Sequence, residues 1–122
     1  MFCFNCNKKV EPQYKNPIFT TFFSKLNNSN INDFVKSYYK EKPDYILAEY
    51  QIALNQLKDS KSEIIISKYA QYKGNKLNIE GNTENIYILS NNEEIITFVK
   101  IEENKVKYLL PIHKGNELIG WL

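Results

Sequence analysis

Apolar residues follow two different rhythms along this chain, and the change of rhythm separates its first half from its second. From Ile18 to Leu57 they recur every three to four positions, the spacing of one helix face. Ile18, Phe19, Phe22, Phe23 and Leu26 form a first stripe, opened by Asn16 as a cap with Pro17 in the first turn. Asn27-Asn28 ends it. Ser29 or Asn30 caps a second stripe of Ile31, Phe34, Val35, Tyr38 and Tyr39, with Asp33 at the positive end of the helix dipole. Lys42-Pro43 stops that helix, because a residue before proline is pushed out of helical geometry. A third helix, from about Asp44, places Ile46, Tyr50, Ala53, Leu54 and Leu57 on one face.

From Glu84 to Leu122 the rhythm shortens. Apolar runs at Ile86 to Leu89, Ile95 to Ile101, Val106 to Ile112 and Leu118 to Leu122 alternate with polar, Asn- or Gly-bearing breaks. β-Branched and aromatic residues bounded by such turns predict consecutive antiparallel strands. In the third run Val106, Tyr108, Leu110 and Ile112 share one side, while Lys105, Lys107 and His113 point the other way. That predicts a sheet covered on a single face. Pro111 lacks a ladder donor, so its strand lies at an edge or carries a bulge. Between the halves, Glu63 to Tyr72 supports a strand through three consecutive isoleucines and, equally, a helical stripe; it is read as a first strand. Lys76 to Ile79 reads as a short strand. The carboxylate pairs Glu93-Glu94 and Glu102-Glu103 fall in the predicted hairpin turns.

These elements predict an α+β fold: three N-terminal helices packed on one face of a curved antiparallel sheet of four to six strands. The element order over residues 17–122 resembles the nuclear-transport-factor-2-like or cystatin-like architecture. That resemblance implies a cone or concave sheet as a working surface and no particular chemistry.

Composition changes the picture little. A chain of 122 residues suits a single domain, and 43% hydrophobic content with nine tyrosines suffices for a core. The net charge of +2 divides as nine Lys against six acids in residues 1–61 and seven Lys against eight acids in residues 62–122. No basic stripe results, and all sixteen basic residues are Lys. Without the planar fork of Arg, guanine edges and phosphates lose their usual partner, so nucleic acid is not an expected partner. No apolar run is long enough to span a bilayer.

Chemistry concentrates at the N-terminus. Residues 1–6 (MFCFNC) are apolar apart from Asn5, and Asn7 to Asn16 is a polar tether, so residues 1–16 stand apart from the domain at 17–122. An apolar run, a cysteine and a polar spacer resemble the tail of a bacterial lipoprotein signal, with the hydrophobic region truncated. The resemblance implies lipid attachment at Cys6 and a place on the cell envelope, the lipid being the only route to a membrane. Cys3-Phe4-Asn5-Cys6 followed by Asn7-Lys8-Lys9 also resembles a zinc-ribbon knuckle. Two thiolates are half of a structural zinc set, so Cys3 and Cys6 of two chains would have to share the metal in a homodimer. A redox dithiol would want a helix N-terminus, which the stretch after Cys6 does not offer. A cytoplasmic protein with an idle tail is the remaining reading.

No cofactor other than such a zinc ion is implied. His113 is the only histidine; as a general base it would need an oriented acid, for which Glu117 across the turn is the candidate. Tyr87, Tyr108, His113 and Trp121 form a candidate ligand surface, with Trp121 otherwise a core plug. Few serines, four glycines and no paired catalytic groups point away from an enzyme. The expected function is a non-enzymatic binding or accessory module for an unidentified protein or small molecule, working through the sheet or an exposed strand edge.

Overall fold

A computed structural model describes residues 16–60, 64–92 and 94–122. Three helices come first: α1 (Pro17–Asn27), α2 (Ile31–Tyr38) and α3 (Asp44–Asp59). Their starts follow from local chemistry. The Asn16 side chain accepts from the Ile18 amide at 2.9 Å with Pro17 behind it, and Asn30, not Ser29, accepts from the Asp33 amide at 3.2 Å. α2 ends at Tyr38, earlier than Pro43 requires. Tyr39 instead turns inward, wholly buried, and donates its hydroxyl to the Val106 carbonyl at 2.7 Å.

Four strands then build one antiparallel sheet in chain order: β1 (Ile65–Lys68), β2 (Ile86–Asn91), β3 (Glu94–Glu102) and β4 (Lys105–Tyr108). A second sheet is the hairpin of β5 (Pro111–Lys114) and β6 (Glu117–Trp121). The fold is α+β, with the helices on one face of the four-stranded sheet. Glu103 and Asn104, both at positive φ (56° and 60°), make the tight turn between β3 and β4. Two positive φ values suit the right-handed strand twist there.

The expectation of a sheet covered on one face is corrected. Register sets two buried layers. Ile66 opposite Leu89, Tyr87 opposite Val99 and Ile101 opposite Val106 face the helices. Ile88 opposite Phe98, with Ile86, faces the other way, under Leu118, Trp121, Tyr69, Tyr72, Leu77 and Ile79. Apolar residues at every position from Ile86 to Leu89 are what burial on both faces demands.

The predicted single strand from Val106 to Ile112 is also corrected. Leu109 is fully buried and Leu110 half-buried at a break, and the two ends of the run enter different sheets. Continuing the Lys100–Tyr108 register would set Leu110 against Phe98, but the Leu110 carbonyl accepts from the Leu122 amide at 3.0 Å instead. The chain leaves the sheet at that point, Pro111 begins β5, and a bulge follows between Ile112 and His113. Of the ambiguous stretch, Ile65–Lys68 is strand, Tyr69–Gln71 is one 3₁₀ turn, and Glu63 lies outside the described residues. The short strand expected at Lys76 to Ile79 is reduced to one parallel bridge, Asn78 to Glu117.

Candidate functional site

The departure of β5 from β3 opens a groove of about 670 Å³. One wall is β3 from Ile95 to Phe98. The other is Pro111 and His113 of β5, and the floor is closed by Asn75, Lys76, Leu77 and Asn116. At the narrow end the Thr97 hydroxyl donates to the Leu109 carbonyl at 2.8 Å, and the Leu122 amide donates to the Leu110 carbonyl at 3.0 Å. These two bonds hold the strands together at the fork and let them diverge beyond it.

The loop on the far side is held by Lys76. Its ammonium donates to the carbonyls of Tyr69 at 2.6 Å and Tyr72 at 3.1 Å, and lies 4.3 Å from the centre of the Tyr69 ring. The Tyr69 hydroxyl returns to the Leu77 carbonyl at 2.6 Å. An ammonium has three donors, so one remains on a residue that lines the groove. On the opposite side the Asn78 amide donates to the Asn116 carbonyl and the Leu118 amide to the Asn78 carbonyl, at 2.7 and 2.9 Å. The groove is thus framed on one side by side-chain bonds to main-chain carbonyls and on the other by main-chain bonds, with Leu77, Ile95, Ile96, Phe98 and Pro111 supplying apolar surface.

The structure divides the residues of the candidate ligand surface. His113 lines the groove, exposed, its Nδ1 3.1 Å from the Gly115 carbonyl. Tyr108 and Trp121 meet at 6.0 Å between ring centres, on the hairpin side of the sheet. Trp121 is half-buried among the residues of that second layer, as a plug rather than a free stacking face. Tyr87 lies across the sheet: its ring packs edge-on against Phe19 at 5.0 Å, and its hydroxyl accepts from the Asn16 side chain at 3.4 Å. No shared surface contains all four. Glu117 does not orient His113; both its carboxylate oxygens accept from the Asn78 side chain at 3.1 Å.

A second, smaller cavity of about 230 Å³ brings Lys42, Lys105 and Lys107 near the start of α3. It looks suited to an anion, but each ammonium has an internal partner. Lys42 donates to the Leu122 carbonyl at 3.2 Å and sits 4.3 Å from the Tyr108 ring centre and 5.1 Å from that of Tyr50. Lys105 donates to the Tyr38 carbonyl at 2.6 Å, and Lys107 pairs with Glu103 at 3.1 Å. Burial holds the Lys42 ammonium below its usual pKa range. Lys105 fastens β4 to α2, Lys42 ties the α2–α3 connection to Leu122, and Lys107 pairs within the β3–β4 hairpin.

Burial raises the tyrosines beside them. Tyr39 is pushed well above the ordinary phenol value, and Tyr50 to about 12. Tyr50 accepts from the Leu109 amide at 3.3 Å and donates to the Leu122 carbonyl at 3.0 Å, so its hydroxyl links α3 to the chain on both sides of the hairpin.

Among the described residues no group of three His, Cys, Asp or Glu side chains is placed to hold a metal ion. The lipid-attachment and zinc readings rest on Cys3 and Cys6, which lie outside the described residues. Among those described, no helix is long and apolar enough to cross a membrane. Comparison with protein-family models, with curated proteins and with solved structures finds no match to this chain.

Proposed function

We propose that this chain is a non-enzymatic binding or accessory module and that the groove between β3 and the C-terminal hairpin is its working surface. One observation carries the reading. An open apolar trough of about 670 Å³ sits on main chain braced from two sides, within the size range of ordinary ligand sites. Among the described residues that line it, His113 and Lys76 are the charged or titratable side chains, with no carboxylate beside them to act with His113. Such a surface recognises; it has no oriented base and nucleophile with which to turn a substrate over. The likeness to nuclear-transport-factor-2-like and cystatin-like architectures belongs to the same proposal, supported by element order. Lipid attachment through Cys6, which would place the module on the envelope, and a zinc-linked pair through Cys3 and Cys6 are extensions supported by the spacing of the N-terminal residues.

The test is a nuclear magnetic resonance screen of small soluble fragments against the isotope-labelled full chain. Shift changes are expected to cluster on Leu77, Ile95, Phe98 and His113. Asn75→Trp, at an exposed position on the groove wall, should remove them while leaving the melting temperature in place. Changes confined to the lysine cavity or to the helices would overturn the assignment of the site.

A further inference from the structure

We propose that the groove receives an extended peptide segment of a partner protein as an added β-strand, apolar along one side and carrying an acidic side chain. The proposal deepens the binding reading above and rests on it.

The first reason is unmatched backbone. β3 is nine residues long, yet β4 pairs with it only from Lys100 to Glu102. Among the described residues no strand lies against Glu94–Val99 on that flank. Among the described residues β5 pairs with β6 on one side and with no strand on the other. Residues of both unpaired flanks line the groove.

The direction of the main-chain groups follows from one hydrogen bond. The Ile101 amide donates to the Asn85 carbonyl at 2.9 Å, on the β2 side. Successive residues of a strand aim their N–H and C=O to opposite neighbours, so Val99 also serves β2, while Phe98 and Lys100 turn to the β4 side. Lys100 meets Tyr108 there. Phe98 has no such counterpart: its N–H is left toward the groove, and its C=O meets the Thr97 hydroxyl at 3.4 Å. A free edge of this kind is the template that strand addition uses. Ile95–Phe98 spans about 13 Å of extended chain, enough for four or five guest residues.

The second reason is the side chains. Strand addition takes its affinity from the main chain and its selectivity from pockets for alternate residues. Leu77, Ile95, Phe98 and Pro111 offer apolar contacts for one side of a guest. Lys76 brings its remaining donor and its charge, and none of the described residues lining the groove is a carboxylate that could neutralise it. An acidic residue in the guest complements that charge; a basic guest meets only repulsion.

The experiment selects seven-residue peptides from a displayed library against the full chain and uses the tightest as the probe. Three results are expected: slowed hydrogen exchange at the Phe98 amide, loss of about tenfold in affinity when alternate amides of one register of the peptide are N-methylated, and little change when the other register is methylated. Replacing the acidic residue of the peptide by its amide should weaken binding most at low salt. Peptide binding that tolerates methylation in both registers overturns the proposal, and so does selection of basic peptides. If small fragments fill the groove while no peptide does, strand addition fails and the binding module stands. If neither binds there, both fail. Concentration-dependent association of the chain alone, with the Phe98 amide protected, would replace the partner by a second copy.

Discussion

The two faces of the central sheet are built to different densities. On the helix face, nineteen buried residues among those described form one cluster, from Phe19 on α1 to Leu109 past β4. On the hairpin face the buried set is Ile86, Ile88 and Phe98, with half-buried residues around them. The helix face is also tied by hydroxyls and ammonium groups donated across long chain separations, such as Tyr39 to Val106 and Lys105 to Tyr38. The contrast suggests a division of labour. One face supplies most of the stability, and the thinner one can leave room for a guest at its rim. Regions that bind are drawn from the less stable end of a structure.

The largest effect that could break this comparison comes from truncating one apolar side chain in each layer. Phe22 is fully buried and meets Phe23, Phe34 and Tyr38 at ring-centre distances of 5.1, 5.6 and 5.4 Å. Phe22→Ala should cost about 3–5 kcal/mol in urea denaturation. Leu118→Ala, in the half-buried hairpin layer, should cost only about 1 kcal/mol. Equal losses at the two positions would show one continuous core and end the division.

Next in size is Tyr50. Tyr50→Phe keeps the ring but strands the Leu109 amide, a loss of about 1–3 kcal/mol. The same hydroxyl sharpens the comparison through pH. Tyrosines in the unfolded chain ionise near about pH 10. Tyr50 in the fold is raised to about 12 and Tyr39 well above its usual value, both mainly by burial. A raised folded value means that the neutral form is the one the fold stabilises. That contribution is whole below about pH 10 and drains away as pH rises through about 12. Lys42, lowered by burial, has the opposite sign and gains slightly as pH climbs toward its unfolded value. The urea midpoint should therefore fall steeply between pH 10 and 12, and less steeply in Tyr50→Phe. A flat midpoint across that window would contradict the burial of these hydroxyls.

Much of the helical half was legible because each signal was local. Asn16-Pro17 and Asn30 with Asp33 carry their caps within three residues, and the stripe from Ile46 to Leu57 needs only the helical period. The groove was harder to foresee. Its walls belong to residues far apart in sequence, and its cause, the exit of the chain at Pro111, depends on a register that only pairing with β3 defines. Two hints were present. Apolar residues at four successive positions, Ile86 to Leu89, are inconsistent with a sheet wet on one side, and a proline in an apparent strand marks an edge, a bulge or a strand's first residue. The separation of Tyr87 from Trp121 was not legible either, because alternation alone does not say which face the helices cover.

A smaller effect tests the hairpin turn that positions His113. Gly115 stands at φ +58°, in the left-handed region, with no atom near where a Cβ would project. Gly115→Ala should therefore act through backbone strain alone, by about 1 kcal/mol, without steric cost. Thermal unfolding measures it. A loss several times larger would mean that the turn bears load beyond the hairpin.

The smallest effect is expected on the outer side of that hairpin, at Ile119, which is 60% exposed and stands beside the bulge. An isoleucine this exposed contributes little to folding, so Ile119→Ser should change stability by no more than about 0.5 kcal/mol. The same substitution separates two ways in which the thin layer could be completed. If the groove at its rim is where a partner enters, Ile119 lies outside the contact, and peptide binding should survive the change. If copies of the chain cover each other through the outer hairpin face, wild-type stability should rise with protein concentration and Ile119→Ser should abolish that rise. Sedimentation of both proteins over a hundredfold range of concentration decides between them, and a concentration-dependent wild type with an independent variant would move the working surface from the groove to the back of β5 and β6.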